Sequence, residues 1–255
     1  MLGDFTVHRA DGSQVDGAAW RTGKTMDLLR LLALSNGRYV TTMSLIDKLW
    51  PHSPEDRARA SLRTAASQIR RTIGVNCVSR QLGGIALPGA WVDVEAFLDL
   101  AQAASNASMA GVHARALRLA RSAEFLYGGD FHAYDDDSAW AEQTRHTLER
   151  ARLLMLTDAA ESCVAERRFR EAVHFAELAI EVDRCAEQPY RTIMEAYAEL
   201  GEIDHALRAF ETYRSLLAEE LGADPSPITR DLHVRLLRGD HHPGTGARTT
   251  AGARG

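Results

Sequence analysis

The sequence predicts a mainly α-helical protein in two parts: a small helical platform edged by β-hairpins up to residue 90, and an all-α half behind it. Three observations predict this. Between residues 22 and 73, apolar residues recur at three- and four-residue spacing in three runs bounded by turn residues, with strand-like pieces on either side. From Pro88 to Pro189 no proline intervenes, which permits long unbroken helices. In the back half, apolar and small residues return with a period of 34.

Residues 1–20 alternate weakly. Phe5 and Val7 point one way, Asp11-Gly12 makes a hairpin turn, and Val15 lies on a returning strand, so a short antiparallel ribbon is expected. Thr22 then precedes a leucine-rich helix (Met26, Leu28, Leu29, Leu31, Leu32, Leu34) that Asn36-Gly37 ends. Tyr39 and Val40 form a short extended piece. Thr41-Thr42 lead into a second helix with Leu45, Ile46, Leu49 and Trp50 at helical spacing, the tryptophan read as core. Pro51 and Pro54 stop it, and the connection Pro51–Asp56 is longer than the turn of a simple helix-turn-helix.

The third helix, Arg57–Ile73, carries Arg57, Arg59, Arg63, Arg70 and Arg71 and no acidic residue. At 100° per residue Ala58, Leu62, Ala65, Ala66, Ile69 and Ile73 form one stripe toward a core. Arg57, Thr64, Ser67, Gln68 and Arg71 lie opposite with Arg63 beside them, and Arg59 and Arg70 share a flank. Arginine, glutamine, serine and threonine are the types that read base edges, and flanking arginines grip phosphate. A basic helix alone is ordinarily a solvated face. This one is followed by strand-like Cys77–Arg80, a turn at Gln81–Gly84 and a returning Ile85–Leu87. The order β-ribbon, three helices, β-hairpin is that of a winged helix-turn-helix, whose wing offers Arg80 to the minor groove or the backbone.

Charge is divided in the same way. Residues 1–90 hold 12 Lys/Arg against 7 Asp/Glu, a net +5, and the rest of the chain is at −10, so only the front half suits phosphate. Cys77, Cys163 and Cys185 are odd in number and lack CxxC spacing, which argues for a reducing compartment and against a zinc site or disulfide frame. No leader pattern is visible at the start and no apolar run approaches a bilayer's thickness, so a cytoplasmic protein without membrane attachment is expected. Gly23-Lys24-Thr25 resembles the end of a phosphate-binding loop, but position 18 is alanine and no apolar strand runs into it. Asp135-Asp136-Asp137 reads more simply as acids favouring the start of the next helix than as a metal cluster. With no nucleophile elbow, HExxH, complete phosphate loop or zinc spacing, neither an enzyme nor a cofactor is expected.

Seven helices are predicted in the back half, over residues 94–104, 112–126, 138–166, 170–182, 190–200, 203–221 and 228–237. Phe169, Ala172 and Ala176 recur as Ile203, Ala206 and Phe210, and Leu156 and Cys163 recur as Tyr190 and Tyr197. A 34-residue period with small residues at the helix contact matches tetratricopeptide pairs, which leave a groove for a peptide or protein. The expected organisation is a DNA-binding domain at 1–90, a tetratricopeptide-like domain at 91–238 and a disordered tail at 239–255.

Together the halves resemble a known family. Leu2-Gly3…Val7, the leucine helix, Leu45-Ile46…Leu49-Trp50 and Ala58-Arg59-Ala60-Ser61-Leu62…Ile69-Arg70-Arg71…Gly74 resemble the response-regulator winged helix-turn-helix as used by Streptomyces antibiotic regulatory proteins. Val92-Asp93-Val94…Phe97, Tyr127-Gly128-Gly129-Asp130-Phe131 and Trp140 resemble the start of that family's bacterial transcriptional activation domain. Met194…Tyr197…Gly201…Ala206-Leu207…Tyr213 and Glu219-Glu220-Leu221-Gly222-Ala223-Asp224-Pro225-Ser226-Pro227 resemble its end. Members usually carry an aromatic after the wing glycine, where this chain has Ile85, and a proline in the wing turn, which it lacks.

The resemblance implies an activator of antibiotic or other secondary-metabolite genes that binds direct repeats near the promoter −35 region, with a dimer on DNA as one arrangement, and recruits RNA polymerase holoenzyme. On that reading Arg63, Thr64, Ser67, Gln68 and Arg71 face the major groove, Arg59, Arg70 and Lys24 grip phosphates, and Arg80 serves from the wing. The alternative is a tetratricopeptide adaptor whose basic front half binds RNA or an acidic protein.

Overall fold

A computed structural model describes residues 1–81 and 83–240. The chain divides into two units. The first comprises Met1–Gln102 with Arg121–Ala151, and the second Ala103–Ala120 with the chain from Arg152 onward.

In the first unit the expected N-terminal ribbon is reduced to a hairpin loop. Asp11 accepts the Ser13 N–H at 2.9 Å, Val15 donates to the Val7 carbonyl at 2.8 Å, and one bridge, His8 to Gln14, remains. The pairing stops there because the chain's first residues pair elsewhere. Leu2 bridges to Phe131, Gly3 donates to the Asp130 carbonyl at 3.2 Å, and Asp16 caps a short turn at Gly17–Ala19. Thr22 caps α1 (Gly23–Ala33) by accepting the Thr25 N–H, and Leu28, Leu29, Leu31 and Leu32 are buried. Strand β1 (Val40–Thr41) leads into α2 (Thr42–Leu49), capped by the Thr41 hydroxyl. Then come α3 (Glu55–Ile73), β2 (Ser79–Gln81) and β3 (Gly84–Ala86).

The strands form one antiparallel sheet in the order β1-β3-β2, with Ile85 opposite both Val40 and Arg80. Ile85, at the place where an aromatic is usual, is 2% exposed, so an aliphatic side chain fills the middle of this small sheet. The hairpin between β2 and β3 is the wing of a winged helix-turn-helix.

Helices α4 (Asp93–Met109), α5 (His113–Leu126) and α6 (Ala139–Ala165) follow. The Tyr127–Phe131 stretch has a physical role in the first unit. Gly128 and Gly129 let the chain approach Gly3 closely, since a Cβ on Gly3 would meet the Gly128 carbonyl oxygen at 2.8 Å. Phe131 lies 6.1 Å from Trp140 edge to face, and Tyr127 packs on Phe97 at 5.2 Å.

In the second unit α7 (Phe169–Val182), α8 (Glu187–Glu199), α9 (Ile203–Leu221) and α10 (Pro227–Arg238) follow in antiparallel tetratricopeptide fashion. The repeat positions explain themselves. Ala172, Ala176 and Ala206 are fully buried where helices cross closely, and Met194, Phe210, Leu232 and Leu236 fill the space between. Tyr190 stacks on Tyr213 at 4.7 Å. The Gly222–Pro227 run is a helix stop followed by a helix start: Gly222 adopts φ +61° after α9, Pro227 occupies the first turn of α10, and Glu187 accepts the Ser226 N–H at 3.1 Å. Residues 241–255, most of the expected tail, lie outside the described residues.

Candidate nucleic-acid interface

Helix α3 begins two residues before the arginine run, because Pro54 fixes the chain just ahead of it and Glu55 and Asp56 suit a helix N-terminus. Its inner stripe, Ala58, Leu62, Ala65, Ala66 and Ile69, is buried, while Ile73 is half-buried. Arg63, Thr64, Ser67 and Arg71 are exposed on the far side, and the Thr64 hydroxyl donates to the Ala60 carbonyl at 3.1 Å. Among the described residues no ion pair engages Arg63, Arg71 or Arg80.

Gln68 departs from the expectation. It is 6% exposed, its Nε2 donates to the Ala19 carbonyl at 3.1 Å, and its Oε1 accepts from the Thr25 hydroxyl at 3.2 Å. It lies on the border of the polar arc, on the flank opposite Arg59 and Arg70. The turn before α1 and the first turn of α1 pack over that flank, so this amide is structural and does not face outward.

The flanking cations are also committed in part. Arg59 pairs with Glu55 one turn earlier at 2.6 Å and touches the Met43 sulfur at 3.4 Å. Both Nε and one terminal nitrogen of Arg70 donate to the Val78 carbonyl, at 3.2 and 3.1 Å, so this guanidinium braces the strand entering the wing. Lys24 points to Asp135 at 2.6 Å, an ion pair that takes it out of a free basic surface. Arg80, on the outer side of β2, has its pKa held below the usual value by desolvation first and by the neighbouring charges of Arg70 and Arg63 next. Arg63, Arg70 and Arg80 therefore form one cationic cluster between α3 and the wing.

Glu55 and Thr42 join this region without having been expected there. A glutamate four residues before an arginine is the legible signal for the first. For Thr42 there is none, because only the sheet brings it beside Gly83, whose carbonyl accepts its hydroxyl at 2.8 Å.

Two of the three aspartates before α6 hold partners outside that helix's first turn. Besides Asp135 with Lys24, Asp136 accepts from Arg145 at 2.6 Å and from the Ala133 N–H at 3.1 Å. Among the described residues no group of three His, Cys, Asp or Glu side chains could hold a metal, and no helix is long and apolar enough to cross a membrane.

Comparison with known proteins adds to this geometry. The family described as bacterial transcriptional activator domain matches residues 92–237, and that described as transcriptional regulatory protein, C terminal, matches residues 17–82. The regulatory protein AfsR of Streptomyces coelicolor is 32% identical over 233 residues, covering 87% of this chain and 23% of that protein. The transcriptional regulatory protein MoaR1 of Mycobacterium tuberculosis is 27% identical over 226 residues, covering 85% of this chain and 73% of that one. The solved structure of Mycobacterium tuberculosis EmbR in complex with a low-affinity phosphopeptide superposes with a TM-score of 0.76 at 26% identity, covering 90% of this chain and 62% of that one. The chain thus spans about a quarter of the length of AfsR, the longer of these two curated relatives.

Proposed function

The chain belongs to the family of transcriptional activators defined by the bacterial transcriptional activator domain, the Streptomyces antibiotic regulatory proteins, and we propose that it binds promoter DNA sequence-specifically and recruits RNA polymerase there. One observation carries the proposal. The outer face of α3 presents Arg63, Thr64, Ser67 and Arg71 beside the exposed Arg80 of the wing, with no carboxylate paired to any of the three arginines among the described residues. A two-turn cationic face of this kind, on a helix backed by a buried stripe, fits the major groove of B-DNA.

The boundaries that go with this reading are a DNA-binding domain at 1–90 and an activator domain at 91–238. Arg63, Arg71, Thr64 and Ser67 face the groove as candidates to read bases. Arg59 and Arg70 line the phosphate-facing flank, Arg70 partly spent on Val78, and Arg80 reaches from the wing toward the minor groove or the backbone. Gln68 is left out of the interface because it is engaged inside the fold, and Lys24 because its charge is paired with Asp135 at the surface. Two copies on direct repeats near the −35 region, polymerase contact through the Pro51–Asp56 loop and the tetratricopeptide-like helices, a secondary-metabolite gene cluster as target, and a cytoplasmic setting complete the proposal.

Fluorescence anisotropy of the full chain with duplexes from the promoters beside its own gene, against scrambled duplexes, tests it. Arg71→Ala is expected to cut the preference for the cognate duplex by about 5- to 150-fold, the equivalent of ~1–3 kcal/mol for a lost bidentate base contact. An unchanged preference would remove Arg71 from base reading. Absence of any duplex binding at low salt would favour an adaptor that takes RNA or an acidic protein.

A further inference from the structure

Between α3 and the wing runs a groove of ≈ 340 Å³. Its floor is apolar, made by Leu62 and Ile85, each 2% exposed. Arg59 and Arg63 from α3 and Arg80 from β2 stand around it, and Thr42 closes it where its N–H and hydroxyl both donate to the Gly83 carbonyl, at 2.9 and 2.8 Å. Among the described residues no carboxylate lines it. Glu55 reaches Arg59 from the preceding helical turn but is not part of the groove wall.

Three guanidinium groups thus stand around an apolar floor, Arg59 held by Glu55 and Arg63 and Arg80 exposed without an ion-pair partner among the described residues. Desolvation first, then the charges of Arg70 and Arg63, hold the Arg80 pKa below its usual value, so positive charge is concentrated on this side of the groove. An anion entering the groove meets donors from both α3 and β2 at once. With a water's share of liquid volume at about 30 Å³, the groove has room for a tetrahedral anion and its waters, and the three guanidinium groups around it favour an anion as occupant.

We propose that this groove is the seat of one backbone phosphate of the duplex, gripped between Arg63 and Arg80 with Arg59 alongside. In this arrangement Arg63 fixes the register of α3 in the major groove and leaves base reading to Thr64, Ser67 and Arg71. The inference rests on the DNA-binding reading above and assigns within it a role that side-chain type and wheel position do not. A phosphate contact needs charge, whereas a base contact needs the planar fork of arginine, so lysine substitution separates the two.

The test is an anisotropy titration over a salt series, using the full chain with cognate and scrambled duplexes. Arg63→Ala and Arg80→Ala are each expected to weaken both duplexes by the same factor and to lower the slope of log affinity against log salt by about one phosphate's worth. The double variant is expected to lose little more than either single, since both arginines serve one phosphate. Arg63→Lys and Arg80→Lys are expected to keep the wild-type slope, which also answers the concern that an alanine variant has simply lost its fold. A change of base preference in Arg63→Lys with the slope intact would overturn the seat and leave DNA binding standing, as would wild-type affinity in both alanine variants. Failure of the wild-type chain to bind either duplex at low salt would overturn the seat and the DNA reading together.

Discussion

Gln68 has the side chain that pairs with adenine in many DNA complexes, and in this fold it serves as an internal strut. Its amide ties α3 to the Ala19 carbonyl and to Thr25 in the first turn of α1. Replacing it by leucine leaves that carbonyl without its donor and is expected to cost about 1–3 kcal/mol, a fall of roughly 2–4 °C per kcal/mol in a chain of this size. Circular dichroism melts check the first point, and duplex preference of the folded protein, expected to be unchanged, checks the second. An altered preference with an unaltered melt would return Gln68 to the interface. Gly23 teaches a similar lesson. It looks like the end of a phosphate loop, yet a Cβ there would sit 1.8 Å from the ring of Tyr134, so its smallness serves packing. A helical wheel correctly turns Ala58, Leu62 and Ile69 inward and Arg63 and Arg71 outward. It does not contain the segment that packs over the flank, and Gln68 sits on that flank.

Helices were the most legible elements, because a three- and four-residue apolar spacing leaves few alternatives. The α9 limits, Ile203–Leu221, coincide with those read from periodicity, and α7 and α8 differ only at their ends. The N-terminal ribbon was less legible, since its strand pairing depends on Phe131, far along the chain. Helix α10 carries a pH dependence that belongs to the element itself. His233 lies flat on Phe210 of α9, ring centroids 3.9 Å apart. Desolvation holds its pKa below the ordinary 6.5, with Arg214 adding to the shift and Glu211 opposing it. The neutral ring is thus the folded form's preference. Stability from this contact is complete above pH 6.5 and declines as pH falls through the lowered folded value, because the unfolded chain takes up the proton first. Thermal melts between pH 7.5 and 5 are expected to show a smaller acid-side decline in His233→Phe than in the wild-type chain. Parallel declines in the two proteins would assign the acid sensitivity elsewhere.

At the scale of the molecule, charge and connectivity tell different stories. The +5 front and −10 back are plain from composition and point to one face for nucleic acid. Composition does not reveal that the first compact unit draws in residues 121–151. The reason lies in Asp27, fully buried among the leucines of α1. It pairs with Arg30 at 3.0 Å and accepts the N–H groups of Tyr134 and Asp135 at 2.8 and 3.2 Å. Arg30 in turn lies over the Phe5 ring at 4.1 Å. A buried carboxylate requires such partners, and while Arg30 is one turn along the same helix, Tyr134 and Asp135 lie more than a hundred residues away in sequence, beyond the reach of any local pattern.

The claim on which the account depends is that the outer face of α3 meets the duplex. Photo-cross-linking from benzoylphenylalanine placed at Ser67 tests it most directly, with a second probe on the acidic half at Glu177 for comparison. The account predicts covalent adducts to the bases of a cognate duplex from position 67 and none from 177. Adducts from 177 with none from 67 would contradict it.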